Sequence, residues 1–327
     1  MEKINFYHNE IPIFIEKMAL TREMQRLKYV GMNCGCEYTS FDRFKNIQSY
    51  SRYEHSIGSS LIAWHFTKDM RASTAALFHD IATPVFAHTV DFMNGDYEKQ
   101  ESTENETGKI ISSSNEIMRL LNEYELSLKD IDNYHKYPIA DNDSPKLSAD
   151  RLEYTIGNAI NFRIASPATM KKCYEDLIAD INENGEEEII FAHEDIALEF
   201  SYAALECSKI YVSDEDRYSM QRLSEILKRA YIKKVIQKED LYKTERELIA
   251  KLKGDAELSD AWDNYRSLSH MVTPEKGQKN VRIISAKKRR IDPFVKDSGR
   301  LSFINDDFRK DLNRYMALDF EVPIAAV

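Results

Sequence analysis

The run Ala72 to Phe78, followed directly by His79-Asp80, restricts this chain more than any other feature. Ala72, Ala75 and Ala76 are small and Leu77 and Phe78 are apolar. Small side chains let a helix approach its neighbours closely, so the segment predicts a central buried helix. That helix must bend or stop before Pro84, which lacks an amide donor and clashes with the preceding turn. An ionised carboxylate and an imidazole beside Leu77 and Phe78 are costly to bury unless something compensates them. A bound cation is the simplest compensation.

The rest of the 327 residues reads as mostly helical. Only 10 Gly and 8 Pro disfavour turn-rich β chains, and 43% apolar residues suffice for a sizeable core. Apolar positions recur at helical spacing from Ile11 to Val30 and from Arg52 to Asp69. Residues 31 to 51 read as a loop with short turns, and 94 to 109 as a polar loop leading into a helix at about 105 to 123. Residues 141 to 148 are a loop by their Asn, Asp, Ser and Pro content, ending at Ser148, an N-cap for a helix over 149 to 162. Further helices are predicted over 170 to 182, 190 to 212 and 215 to 252, with a charged turn at 183 to 188. The β-branched residues of 281 to 290 and the segment 300 to 304 predict strands of a small hairpin or sheet. The expected division is a helical core over 1 to 215 and a smaller α+β extension over 216 to 327 packed on it.

The formal charge of −10 argues against general affinity for nucleic acid or anionic membrane. It leaves room for a local cationic pocket that takes a phosphorylated small molecule. The four cysteines (34, 36, 173 and 207) are too few for a disulfide scaffold and are read as thiols. The N-terminus has no apolar signal region and no 18-residue apolar stretch exists, so no membrane span is expected and the cytoplasm is the expected compartment.

Three fragments carry potential metal ligands: RYEHSIG (52 to 58) with His55, ALFHDIATPVFAH (76 to 88) with His79 and Asp80, and SADRLEY (148 to 154) with Asp150. Imidazole and carboxylate together form a mixed nitrogen and oxygen site suited to a divalent ion such as Mn, Fe, Zn, Ni or Mg. Two His and two Asp leave positions open for water and substrate, as a catalytic site requires. Isolated histidines (His65, His135, His193, His270) are read as structural.

Together the fragments resemble the HD superfamily of metal-dependent phosphohydrolases, whose signature is H…HD…D on an all-helical core. The nearer resemblance is to the deoxynucleoside triphosphate triphosphohydrolase branch. Its R-F/Y-E-H-S-x-G run is matched by Arg52 to Gly58, its HD run in part by His79 to His88, and its D-R/K-x-D/E-Y run by Asp150 to Tyr154. A later K-x-R-x-I/V-D-P run is resembled by Lys287 to Pro293. The resemblance implies an all-α HD-domain bundle, metal ligation by His55, His79, Asp80 and Asp150, and substrate contacts from Arg52, Arg151 and Tyr154. It also implies a homo-oligomer acting on a nucleotide. Asp80, beside the apolar wall, is the residue expected to orient the attacking water. The basic run Lys287 to Arg290 is read either as a charged strand edge or as an anionic regulatory or subunit-interface site.

Departures accompany the resemblance. Thr83 stands where the run has a second histidine. Thr103-Glu104 stands where a His-Glu pair opens the next helix, and no glutamine lies near Gly31 and Met32. The acid for the leaving group is therefore sought among His88, Glu101 and Glu104. The expected function is a metal-dependent phosphohydrolase acting on a nucleotide or related phosphate ester, in its nearest form a dNTP triphosphohydrolase. The alternatives are a nucleotidase or phosphodiesterase on the same fold, or a non-catalytic nucleotide-binding regulator.

Overall fold

A computed structural model describes residues 4–98, 106–275, 277 and 280–327. The chain is mostly helical, with a small sheet and a two-stranded ribbon. Among the described residues no helix is long and apolar enough to cross a membrane.

The centre is built from the helices Arg52–Thr67, Met70–Phe78 and Ala149–Asn161, with Arg52–Thr67 packed on both of the others. Ser51 caps the first in a capping box with Glu54. Asp69 caps the second by accepting from the Arg71 amide at 2.7 Å. Small residues do what the sequence predicts: Ser60 Oγ donates to the Ser73 carbonyl at 2.8 Å and Ser73 Oγ to the Ser60 carbonyl at 2.9 Å. Bonds this short between facing helices need a close approach. Gly58 serves the same end, since a Cβ there would meet the Glu153 side chain at 2.5 Å. The Met70–Phe78 helix ends before Pro84, as expected. The third helix starts after Ser148, which accepts from the Arg151 amide at 3.3 Å.

A second apolar cluster lies around the helix Asp214–Ile232 and gathers Phe41, Phe86, Leu223 and Trp262. All four cysteines are free and buried.

Several predicted boundaries are corrected. The expected helices over 170 to 182 and 190 to 212 are the shorter helices Pro167–Glu175 and Glu194–Tyr211. The hairpin β1 (Leu177–Ile181) and β2 (Glu187–Phe191) lies between them. Its β-branched Ile178, Ile181, Ile189 and Ile190 favour strands. Asn182 to Glu186 turn the chain, with Gly185 at φ +78°. The 215 to 252 segment breaks after Ile232 and resumes as Glu245–Lys253, with Lys234 at positive φ between them.

The N-terminal periodicity divides into Ile13–Ala19 and Arg22–Arg26. The 105 to 123 helix divides at Ser114 into Thr107–Ser113 and Asn115–Glu123. Residues 281 to 290 form no strand beyond one bridge between Arg282 and Ile324. The strands of the tail are instead β3 (Met271–Val272), β4 (Phe294–Val295), β5 (Gly299–Arg300) and β6 (Ala325–Ala326), and 301 to 304 is helical.

The sheet order is β1-β2-β4-β5, with β2 and β4 parallel through Phe191 and Val295, while β3 pairs β6. Arg300 explains why the sheet recruits this tail. Its guanidinium reaches the fully buried Glu188 on β2 at 2.5 Å and Glu183 at 2.7 Å.

Candidate metal centre

His55 sits in the first turn of the Arg52–Thr67 helix, His79 and Asp80 follow the end of Met70–Phe78, and Asp150 is in the first turn of Ala149–Asn161. The packing of these helices brings the four side chains together. His55 Nε2 lies 3.1 Å from His79 Nε2 and 2.9 Å from Asp150 Oδ1. His79 Nε2 lies 3.5 Å from both Asp150 Oδ1 and Asp80 Oδ2. His55, His79 and Asp80 each offer a ligand atom, all within 4.8 Å of one another, and Asp150 Oδ1 adds a fourth beside both imidazoles.

The outward nitrogens are committed elsewhere. His55 Nδ1 is 2.6 Å from Glu153 Oε2, and His79 Nδ1 is 2.7 Å from the Ala76 carbonyl. A carboxylate and a carbonyl only accept, so both Nδ1 atoms carry the hydrogen and both Nε2 lone pairs face the same point. Two lone pairs 3.1 Å apart beside two carboxylates need a positive charge between them. The neighbouring carboxylates also draw the imidazoles toward their charged form. Burial works to lower the His55 pKa, but the bonds to Asp150 and Glu153 outweigh it and raise it to about 10. His79 is also raised, against burial, chiefly by Asp80 and Asp150. Burial raises Asp80, but Arg52 and the two histidines hold it well below the usual carboxylate range. Asp150 is likewise held low by His55 and His79 against burial. A divalent cation at that point fits the donor set, and the ordering of each histidine by a carboxylate or carbonyl is what metal-binding imidazoles need.

Glu153 is the residue that sequence reasoning missed. It is 2% exposed and accepts from Tyr7 Oη at 3.2 Å and from Tyr50 Oη, besides its bond to His55. The signal was present: Glu153 lies three residues after Asp150 in SADRLEY, on nearly the same helix face.

The residues expected to bind substrate have distinct placements. Arg52, 7% exposed, gives Nη1 to Asp80 Oδ2 at 2.9 Å, and its Nε has no hydrogen-bond partner. Thr83 Oγ1 donates to Asp80 Oδ1 at 2.7 Å, so the residue that replaces a histidine of the resembled run orients a carboxylate of the cluster. Arg151 lines the cavity, but its Nε donates to the Lys146 carbonyl at 2.8 Å and its Nη2 to Asn142, with Asp141 Oδ1 at 3.3 Å. Its guanidinium is committed to the loop before the helix. Tyr154 lines the same cavity with its ring 6.4 Å from that of His55. His88 Nδ1 is 3.0 Å from Asp91 Oδ2, and its Nε2 is 3.3 Å from Arg289. Glu101 and Glu104 lie outside the described residues.

Two cavities meet at the cluster. The larger, about 400 Å³, runs from His55, His79, Asp80 and Asp150 past Lys287 to Arg290 toward Asn158, Phe162 and Tyr211. The other, about 390 Å³, is lined by Asp80, Asp91, Asp132 and His88 and, among the described residues, has no Lys or Arg in its wall. The run Lys287 to Arg290 thus lies on the cavity wall, with Lys288 Nζ bonded to the Met316 carbonyl at 2.7 Å.

No family model matches the chain. It is 24% identical over 236 residues to Uncharacterized protein YdhJ of Bacillus subtilis (strain 168), covering 72% of this chain and 69% of that protein. It is 25% identical over 159 residues to the Metal-dependent phosphohydrolase cns2 of the fungus Cordyceps militaris, covering 46% of this chain and 41% of that protein. A distant, partial relative is thus a named metal-dependent phosphohydrolase, and the chain itself carries a buried cluster suited to a divalent metal.

Proposed function

We propose that the protein is a metal-dependent phosphohydrolase of the HD type acting on a nucleotide or a related phosphate ester. One divalent ion would be held by His55, His79, Asp80 and Asp150. The observation that carries this reading is the pair of imidazole Nε2 atoms 3.1 Å apart, each fixed through its Nδ1, facing Asp150. The name of the fungal relative supports it.

A divalent ion held there would supply Lewis-acid activation of a phosphoryl oxygen and of water. The chain's own residues do the rest. Glu153 and the Ala76 carbonyl fix the imidazole tautomers, while Arg52 and Thr83 fix both oxygens of Asp80. The cations of 287 to 290 line the route to the cluster and offset phosphate charge. Their position supports an anionic substrate entering through the larger cavity and not through the acidic one.

The test is elemental analysis of the purified protein and of His79→Ala combined with Asp80→Ala, followed by a screen of the Mn²⁺-loaded protein. The substrates are dNTPs, NTPs, monophosphates and cyclic dinucleotides. The double variant is expected to be folded, metal-free and inactive. Full metal content in it overturns the ligand set. Tripolyphosphate release marks a triphosphohydrolase and inorganic phosphate or a monoester marks a nucleotidase or phosphodiesterase. Binding without turnover overturns the catalytic reading.

A further inference from the structure

We propose that His135, beside Asp141, is a proton-transfer residue of this site and delivers the proton to the leaving oxygen of the phosphate ester. The assignment rests on the hydrolase reading above.

His135 lies in the short turn Tyr134–Lys136, and its Nδ1 is 2.7 Å from Asp141 Oδ2. The two form an ion pair when the ring is protonated, with Nδ1 on the side of the carboxylate and Nε2 on the other side of the ring as the nitrogen that transfers the proton. Asp141 is 5% exposed and is itself held: Ser148 Oγ donates to its Oδ1 at 3.1 Å, and Arg151 Nη2 lies 3.3 Å from the same oxygen. Ser148 and Arg151 begin the helix that carries Asp150, so the dyad is keyed to the ligand helix.

A stack of rings fixes the distance to the cluster. The Tyr134 ring lies 5.0 Å from that of His79, and the His135 ring 4.5 Å from that of Tyr134, each pair tilted by about 35°. His135 thus stands one ring out from a metal-cluster imidazole, and it lines both cavities where they meet. Its side chain is 52% exposed, so it is recharged with protons from solvent. His88 is placed differently. Its Nε2 faces the Arg289 guanidinium at 3.3 Å, which only donates, so that nitrogen accepts and has no proton to give.

The step balances as follows. The water oxygen bonds to phosphorus while the bond from phosphorus to the leaving oxygen breaks, its electron pair going to that oxygen. The His135 Nε2 proton moves to the same oxygen, and a proton released by the water restores the imidazolium. One water is consumed and one alcohol and one phosphate are formed.

The experiment uses phenyl phosphate and p-nitrophenyl phosphate with Mn²⁺-loaded wild type, His135→Asn and Asp141→Asn, with metal content measured in each. Phenolate needs a proton as it leaves and p-nitrophenolate needs far less. Loss of a general acid lowers the phenyl to p-nitrophenyl rate ratio, by about 10²-fold for His135→Asn. Asp141→Asn lowers it in the same direction with the metal retained. An unchanged ratio in both variants, or loss of metal from His135→Asn, overturns the role of His135 and leaves the hydrolase reading standing. If metal-loaded wild type turns over neither ester, the variants are compared on the nucleotide turned over in the screen above, where unchanged rates in both overturn the role of His135; turnover of no ester and no nucleotide overturns both readings.

Discussion

Glu153 Oε2 lies 2.6 Å from His55 Nδ1, and that contact ties the metal cluster to parts of the chain far from it in sequence. Tyr7 and Tyr50, 146 and 103 residues before Glu153, both donate to the same carboxylate. The Glu153 carboxylate thus takes three donors, and His55 is left with one usable lone pair, on Nε2.

Replacing Glu153 with Gln tests this arrangement. The amide keeps the volume but has only one acceptor oxygen for three donors, so His55 loses the partner that fixes its tautomer. Metal affinity is expected to fall about 10- to 100-fold, as for other lost partners of metal-bound histidines. Chelator competition measures the loss, and far-UV circular dichroism should show the helices intact. Unaltered affinity would mean that His55 is oriented by something other than Glu153.

Local chemistry made the four clustered side chains legible and left their support hidden. His79-Asp80 stands out because an ionisable pair beside Leu77 and Phe78 demands compensation. Ser148 announces the start of a helix wherever it packs. Tyr7 and Tyr50 carry no such signal, since their role exists only once the helices meet. Arg151 shows the same limit. The resemblance implies a phosphate contact there, and the neighbours its guanidinium has in the fold, Asn142, Lys146 and Asp141, carry no signal in the sequence. The β1–β2 hairpin was hidden by charge: Glu188 looks like a solvated residue until Arg300, 112 residues later, arrives to pair with it.

Arg151 should accordingly behave as a structural clamp. Arg151→Met leaves Asp141 without its guanidinium and the Lys146 carbonyl without its donor, at an expected cost of about 2–4 kcal/mol. Arg151→Lys should recover little, because an ammonium cannot span the same acceptors. Urea unfolding provides the check, with a lower midpoint at constant slope. A variant of wild-type stability whose only defect is a raised KM would restore the phosphate role.

Gly157 offers a prediction in which two effects have opposite signs. Gly→Ala inside a helix ordinarily gains about 1 kcal/mol. Here a Cβ would run into the Tyr50 ring and hydroxyl, the group that donates to Glu153. Overpacking of this kind costs about 1–3 kcal/mol, so Gly157→Ala should lower the melting temperature and weaken metal binding together. A rise in melting temperature would show that Tyr50 moves aside freely.

The last prediction concerns pH. Burial, and then the neighbouring Glu245, push Glu37 up to about 8, and its Oε2 is buried without a hydrogen-bond partner. In the unfolded chain the same carboxyl titrates near its ordinary value of about 4.5. Between these two values the folded state holds a proton that the unfolded state has lost. Stability then falls as pH rises, by at most about 1.4 kcal/mol per pH unit from this group. Below that window both states are protonated and the group contributes nothing. Asp216, raised by burial to about 7, adds a slope of the same sign over its own narrower range. Glu37→Gln should therefore match wild type in melting temperature near pH 4.5 and exceed it increasingly up to about pH 8. Parallel curves across that range would mean that Glu37 ionises in the folded protein as it does in the unfolded chain.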